Sequence, residues 1–156
     1  KRNYKGEIIG DLKIKSAKNL KSINCPQNLN SSAIDEFILI FLVACKSTGI
    51  SKFKNLGELN KKESPRLDIA IKFMRTIGIK VIRKKNDIKI YGNPYLKLEN
   101  IYHSKNFLKD HRIFMMSVIA ALTFGGKKWI IDDKDSIKTS FPNFLEILKK
   151  LGARIN

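Results

Sequence analysis

The sequence predicts an α/β fold in which a unit of helix, strand, helix and strand occurs twice. Three observations carry that expectation. First, Phe73-Met-Arg-Thr-Ile-Gly-Ile-Lys-Val-Ile82 matches Ile147-Leu-Lys-Lys-Leu-Gly-Ala-Arg-Ile-Asn156, 74 residues further on. Apolar positions meet apolar positions, Arg75 meets Lys149, and Gly78 meets Gly152. Second, Asp35 and Asp110 each open an apolar stretch, one ending near Thr48 and Gly49, the other near Gly125 and Gly126. Third, the runs 36–47 and 111–123 are too long for strands, which seldom pass about eight residues, so both are read as helices.

The elements follow in order. Gly10-Asp11, the alternating Leu12 and Ile14, and then Leu20 and Ile23 suggest opening strands arranged as a hairpin. Asp35 starts the first helix, and residues 50–56 follow it as a strand. Ser64 is expected as N-cap and Pro65 as first helical residue of the next helix. Leu67, Ala70, Ile71, Met74 and Ile77 recur at helical spacing as its buried face. Gly78 should end that helix at the C′ position. Val81–Ile82, the polar turn Lys85-Asn86-Asp87 and Ile88–Tyr91 read as a β-hairpin, closed by the break Gly92-Asn93-Pro94. The second copy supplies a helix over 111–123, a strand over Lys128–Ile131, a helix ending at Gly152, and a final strand. The repeat is about 75 residues long, with units at about 24–97 and 98–156. Residues 1–23 look like the tail of a third copy. The first residue is Lys1 rather than Met, so a truncated chain is expected.

Composition narrows the class. A chain of 156 residues that is 43% hydrophobic is one globular domain, or part of a larger one. Its formal net charge of +17 raises the question of nucleic acid. Yet only six of the 31 basic residues are Arg, and the lysines are scattered along the whole chain. With abundant Asn and Ile, this reads as compositional bias on a solvated surface. Zinc-finger spacing, an aromatic RNA-binding motif and a clear helix-turn-helix are all missing. A non-catalytic basic α/β module binding nucleic acid or other polyanions stands as the alternative reading.

Cys25 and Cys45 have no neighbours at metal-ligand spacing, and Cys45 lies in an apolar run as a small buried hydrophobe. No signal peptide is evident, and the run Phe37 to Cys45 is too short to span a bilayer. A monomeric cytoplasmic protein is expected.

Two acid–base clusters remain, Lys62-Glu63-Ser64-Pro65-Arg66-Leu67 and Asp110-His111-Arg112. Both fall where a helix begins, and a helix start offers free N–H groups and a positive dipole end to an anion. Arg66 and Arg112 sit in first turns, where a cation opposes the dipole, so each points to an anion nearby. Arg also grips carboxylate and phosphate with paired hydrogen bonds. Ordinary readings stay open: an exposed Arg66, a helix-capping Asp35, a surface His111. The equivalence of Asp35 and Asp110 under the repeat suggests that both helix starts face one cleft.

These segments carry a family resemblance. Ile34-Asp-Glu-Phe, Lys62-Glu-Ser-Pro-Arg-Leu, Asp110-His-Arg-Ile-Phe-Met and Thr139-Ser-Phe-Pro-Asn-Phe resemble the 5-enolpyruvylshikimate-3-phosphate synthase family, in order and spacing, over its carboxy-terminal portion. The resemblance implies a lobe of βαβαββ units, an inside-out α/β barrel, with about two copies and a remnant present here. It implies a missing amino-terminal lobe of the same protein. It also implies transfer of the enolpyruvyl group of phosphoenolpyruvate to the 5-hydroxyl of shikimate 3-phosphate, with no metal or redox cofactor. By the same resemblance Asp35 binds the shikimate hydroxyl and accepts its proton, and Glu63 moves protons at the methylene. Lys62 holds shikimate 3-phosphate, Arg66 and Arg112 hold phosphoenolpyruvate, and Asp110 and His111 support them. Pro65 departs from the acidic or polar residue usual in the family, and Lys138 falls one residue from a family lysine position and inherits no role.

Overall fold

The computed structural model describes residues 2–11, 13–104 and 109–156. Its elements in chain order are β1 (Arg2–Tyr4), β2 (Glu7–Ile9), α1 (Phe37–Cys45), β3 (Ile50–Phe53), α2 (Arg66–Thr76), β4 (Lys80–Lys84), β5 (Asp87–Tyr91), β6 (Ile101–Ser104), α3 (His111–Phe124), β7 (Lys128–Ile131) and α4 (Phe144–Lys150). The fold is α/β, and the two halves repeat one order. Lys21 and Asn24 form parallel bridges to Thr48 and Lys52 on either side of α1, and β6 pairs parallel with β7 across α3. A parallel pair needs a crossover, and a helix supplies it in each half. A short 3₁₀ turn then leads into α2 at Gly57–Lys61 and towards α4 at Lys134–Ile137.

The sheet of the first half runs β3-β5-β4, antiparallel throughout. Strand alternation sorts its side chains cleanly. Ser51, Phe53, Val81, Ile88 and Ile90 face inward, while Ile50, Lys52, Lys80, Ile82, Lys84 and Lys89 face out. Helix α1 packs on β5 and against α2 and α3. A helix apolar on nearly every side belongs in such a position. Phe37 and Phe41 meet Phe53 edge-on, with ring centroids 6.0 and 5.0 Å apart. Cys45 is fully buried here, and burial pushes its thiol pKa up to about 12. A smaller cluster of Phe114, Val118, Ile137 and Phe144 ties α4 to α3.

The repeated sequence block is a repeated helix stop. After α2, the Ile79 amide donates to the Met74 carbonyl at 2.9 Å and the Gly78 amide to Arg75 at 3.0 Å. After α4, the Ala153 amide donates to Leu148 at 2.9 Å and Gly152 to Lys149 at 2.9 Å. Both are Schellman motifs. Gly78 at φ +84° and Gly152 at φ +96° supply the left-handed residue each one requires.

Several expectations change. The opening hairpin lies earlier than Gly10-Asp11, with its turn at Lys5-Gly6, where both residues have positive φ and so match the right-handed strand twist. Leu12 lies outside the described residues, and Ile14 is exposed and outside any strand. The strand from Ile50 ends at Phe53 rather than Leu56. Asn55 turns left-handed and Leu56 instead bonds to the Asn86 carbonyl at 2.9 Å. Residues 153–156 form no strand, and Ile155 packs on the smaller cluster.

Candidate active site

The start of α2 does not use Ser64 as a cap. The helix opens at Arg66 with Pro65 in the cap position and no side-chain cap bond. The Ser64 hydroxyl donates instead to Asp110 Oδ2 at 2.7 Å. A buried carboxylate needs donors more urgently than an open helix end does. Asp110 caps α3 from its other oxygen: Oδ1 accepts from the amides of Arg112 at 2.9 Å and Ile113 at 3.4 Å. Asp110 has no exposed surface. With the two bonds from Arg66 described below, its acceptor positions are filled.

Arg66 joins the two clusters. Its side chain is only 1% exposed, so the exposed-arginine reading is replaced. Nε donates to Asp110 Oδ2 at 2.8 Å and Nη2 reaches Oδ1 at 3.4 Å, a side-on pair of bonds. Nη1 donates to Asp35 Oδ1 at 2.9 Å, and Nη2 also donates to Glu63 Oε2. The anion that the arginine at the helix start called for is therefore, in this state, the protein's own carboxylates. Burial pulls the Arg66 pKa down, and the bond to Asp110 with the charges of Asp110, Glu63 and Asp35 more than reverses it.

Asp35 is not a helix cap either, because α1 starts two residues later behind Glu36. Its half-buried carboxylate collects three cations: Arg66 Nη1 at 2.9 Å, Arg112 Nη2 at 3.5 Å and Lys62 Nζ at 3.6 Å. Burial alone would raise its pKa. The charges of Arg112, Lys62 and Arg66, with the bond from Arg66, outweigh burial and hold it below the ordinary carboxylate range. Asp110 is lowered likewise: burial acts upward, and the bonds from Arg66 and Ser64, the Arg66 charge and the Arg112 amide act downward. Arg112 reaches back to the start of α1, donating from Nη1 to the Asp35 carbonyl at 3.0 Å and to Glu36 Oε1 at 3.1 Å. His111 opens α3 and is half-buried.

The structure thus gathers Asp35, Lys62, Glu63, Arg66, Asp110 and Arg112 at the junction of the starts of α1, α2 and α3. Sequence reasoning passed over the roles of Ser64 and Glu36. Ser64 stood in the motif, but its pattern also fits a cap. Glu36 had no signal beyond following Asp35. Charge in the cluster is close to balance, with Lys62, Arg66 and Arg112 facing Asp35, Glu36, Glu63 and Asp110. Asp35 and Glu63 remain partly exposed on one side of Arg66, so that side meets solvent. Such a site can hold a carboxylate or phosphate by exchange with a protein carboxylate, and it can place ionised carboxylates beside a hydroxyl. Among the described residues, no group of three or more His, Cys, Asp or Glu is placed to hold a metal, and no helix is long and apolar enough to cross a membrane.

Comparison with known proteins identifies the family. The family profile described as EPSP synthase (3-phosphoshikimate 1-carboxyvinyltransferase) matches residues 10–148. The 3-phosphoshikimate 1-carboxyvinyltransferase of Ruthia magnifica is 37% identical over 157 residues, covering 99% of this chain and 34% of that protein. The enzyme of that name from Campylobacter jejuni is 37% identical over 150 residues, covering 96% and 33%. The solved structure of EPSP synthase from Acinetobacter baumannii superposes with a TM-score of 0.72 at 27% identity, over 85% of this chain and 30% of that one. The chain spans about a third of the length of the curated relatives it matches.

Proposed function

The chain belongs to the EPSP synthase family, and from that premise we propose that it carries one wall of a site joining phosphoenolpyruvate to shikimate 3-phosphate. The observation that carries the reading is the convergence of Arg66 and Arg112, from two separate helix starts, on Asp35.

In the proposed reaction the 5-hydroxyl oxygen of shikimate 3-phosphate adds to C2 of phosphoenolpyruvate. The hydroxyl loses its proton and the methylene carbon gains one. Loss of a proton from that methyl group then expels phosphate and restores the double bond. Asp35 receives the hydroxyl. Its lowered pKa keeps it ionised as an acceptor, and its strength as a base rises when Arg66, Arg112 and Lys62 turn to the substrates. Glu63, reaching Arg66 from the exposed side, serves the methylene. Arg66 and Arg112 take phosphoenolpyruvate, a compact anion suited to bidentate arginines at helix starts. Lys62 contacts shikimate 3-phosphate. The opposite wall comes from the part of the relatives' length that this chain does not span. Positioning by two walls supplies the larger share of the acceleration, and proton transfer contributes a further factor of about 10²–10⁴.

The test is phosphate release from the two substrates by the full reading frame that carries this chain. Release that needs both substrates supports the reading, and no release in a folded protein ends it. The alternative, polyanion binding, has on its side the outer lysines of the β3-β5-β4 sheet, Lys52, Lys80, Lys84 and Lys89.

A further inference from the structure

Asp110 uses its two oxygens for different work. Oδ1 takes the α3 amides of Arg112 and Ile113, together with the long contact from Arg66 Nη2. Oδ2 takes nothing from the helix. It accepts only the Ser64 hydroxyl at 2.7 Å and Arg66 Nε at 2.8 Å among the described residues. A simple cap would need Oδ1 alone. A serine hydroxyl 2% exposed and a carboxylate with no exposure, joined across 46 positions of sequence, call for a further explanation.

We propose that Ser64 and Asp110 form a positioning pair that fixes the plane of the Arg66 guanidinium. An arginine has four rotatable side-chain bonds, and a single contact leaves its fork free to swing. Gripping Nε and Nη2 from one side locks the plane. The Nη1 group and the second Nη2 hydrogen are then directed away from Asp110, towards the partly exposed Asp35 and Glu63. The Ser64 hydroxyl has one job here: it fixes where Oδ2 lies. Because Oδ1 holds the first turn of α3, the same carboxylate also sets where Arg112 stands relative to Arg66. The pair is thus a mechanical link between the two arginines. Neither Ser64 nor Asp110 is positioned to touch a ligand; they act through Arg66.

This role rests on the reading of the site as one for phosphoenolpyruvate, and the test separates the two. The variant is Ser64→Ala in the full reading frame, because it removes one of the two Oδ2 partners and leaves the α3 cap intact. The expected result is a KM for phosphoenolpyruvate about tenfold higher, the scale of one lost hydrogen bond to a charged group. The KM for shikimate 3-phosphate should stay within about twofold, and melting should remain cooperative. A parallel rise in both KM values, an unchanged KM for phosphoenolpyruvate, or loss of cooperative melting overturns the proposal. A second readout does not depend on turnover. The Arg66 Nε–H signal in nitrogen-15 NMR should exchange with water at least about tenfold faster in Ser64→Ala than in the parent protein, since a buried bond has been loosened. Equal exchange overturns the pair. Absence of phosphate release by the parent protein, with faster exchange in the variant, overturns the functional reading and leaves the pair standing.

Discussion

Arg66→Ala and Arg112→Ala separate two tasks that the sequence presents as alike. Arg66 is the sole cation against the buried Asp110 among the described contacts, so its removal strands a charge in the interior. Breaking such a pair costs about 3–5 kcal/mol, and Arg66→Ala should melt far below the parent protein in a thermal scan. Arg112 is partly exposed and its partners Asp35 and Glu36 stay hydrated, so Arg112→Ala should cost stability about 1 kcal/mol or less. The acid response follows from Asp110. Its pKa is depressed in the folded state, so its contribution is present above the ordinary carboxylate value near 3.9 and is lost as pH falls below it. A urea titration should therefore show stability falling below about pH 4, and Asp110→Asn should flatten that fall. A flat profile in the parent protein would contradict the assignment. The motif letters gave the members of this cluster. They did not give the burial of Arg66 or the hydroxyl bond of Ser64, because both depend on where α3 lands, and sequence spacing carries no such distance.

At the scale of elements, the glycine-terminated helices were legible because their stops are local. A Schellman motif needs one residue at positive φ and two amide bonds within six residues, and Gly78 and Gly152 announce it. Gly78→Ala should destabilise by about 1–2 kcal/mol through the left-handed backbone, read as a shift in urea midpoint at constant slope. No shift would mean that the motif is not held in solution. Helices α1 and α3 were legible for a similar reason: length excluded strands. The hairpin of β4 and β5 followed from its polar turn. The misplaced hairpin near Gly10 shows the limit, because two glycines, Gly6 and Gly10, offer equivalent turn signals. Only the pairing of Arg2 with Ile9 decides between them. The strand from Ile50 stops short of Leu56 because Asn55 turns left-handed, a backbone choice that its neighbours in sequence do not announce, and residues 153–156 form no strand.

For the whole molecule, the repeat is what brings helix starts α1 and α3 to one side, so that Asp35 and Arg112 meet across 77 positions. One wall with nearly balanced charge holds an anion weakly. The isolated 156-residue chain is therefore expected to release no phosphate from phosphoenolpyruvate and shikimate 3-phosphate, and release at the rate of a family enzyme would refute the two-walled account. In the same preparation, affinity for duplex DNA that falls steeply with added salt would favour the polyanion alternative. The most direct measurement is the KM for phosphoenolpyruvate of Arg112→Ala in the full reading frame. The account predicts a rise of about ten- to a hundredfold, equivalent to one or more charged hydrogen bonds, with the melting temperature little changed. An unchanged KM in a folded variant would contradict it.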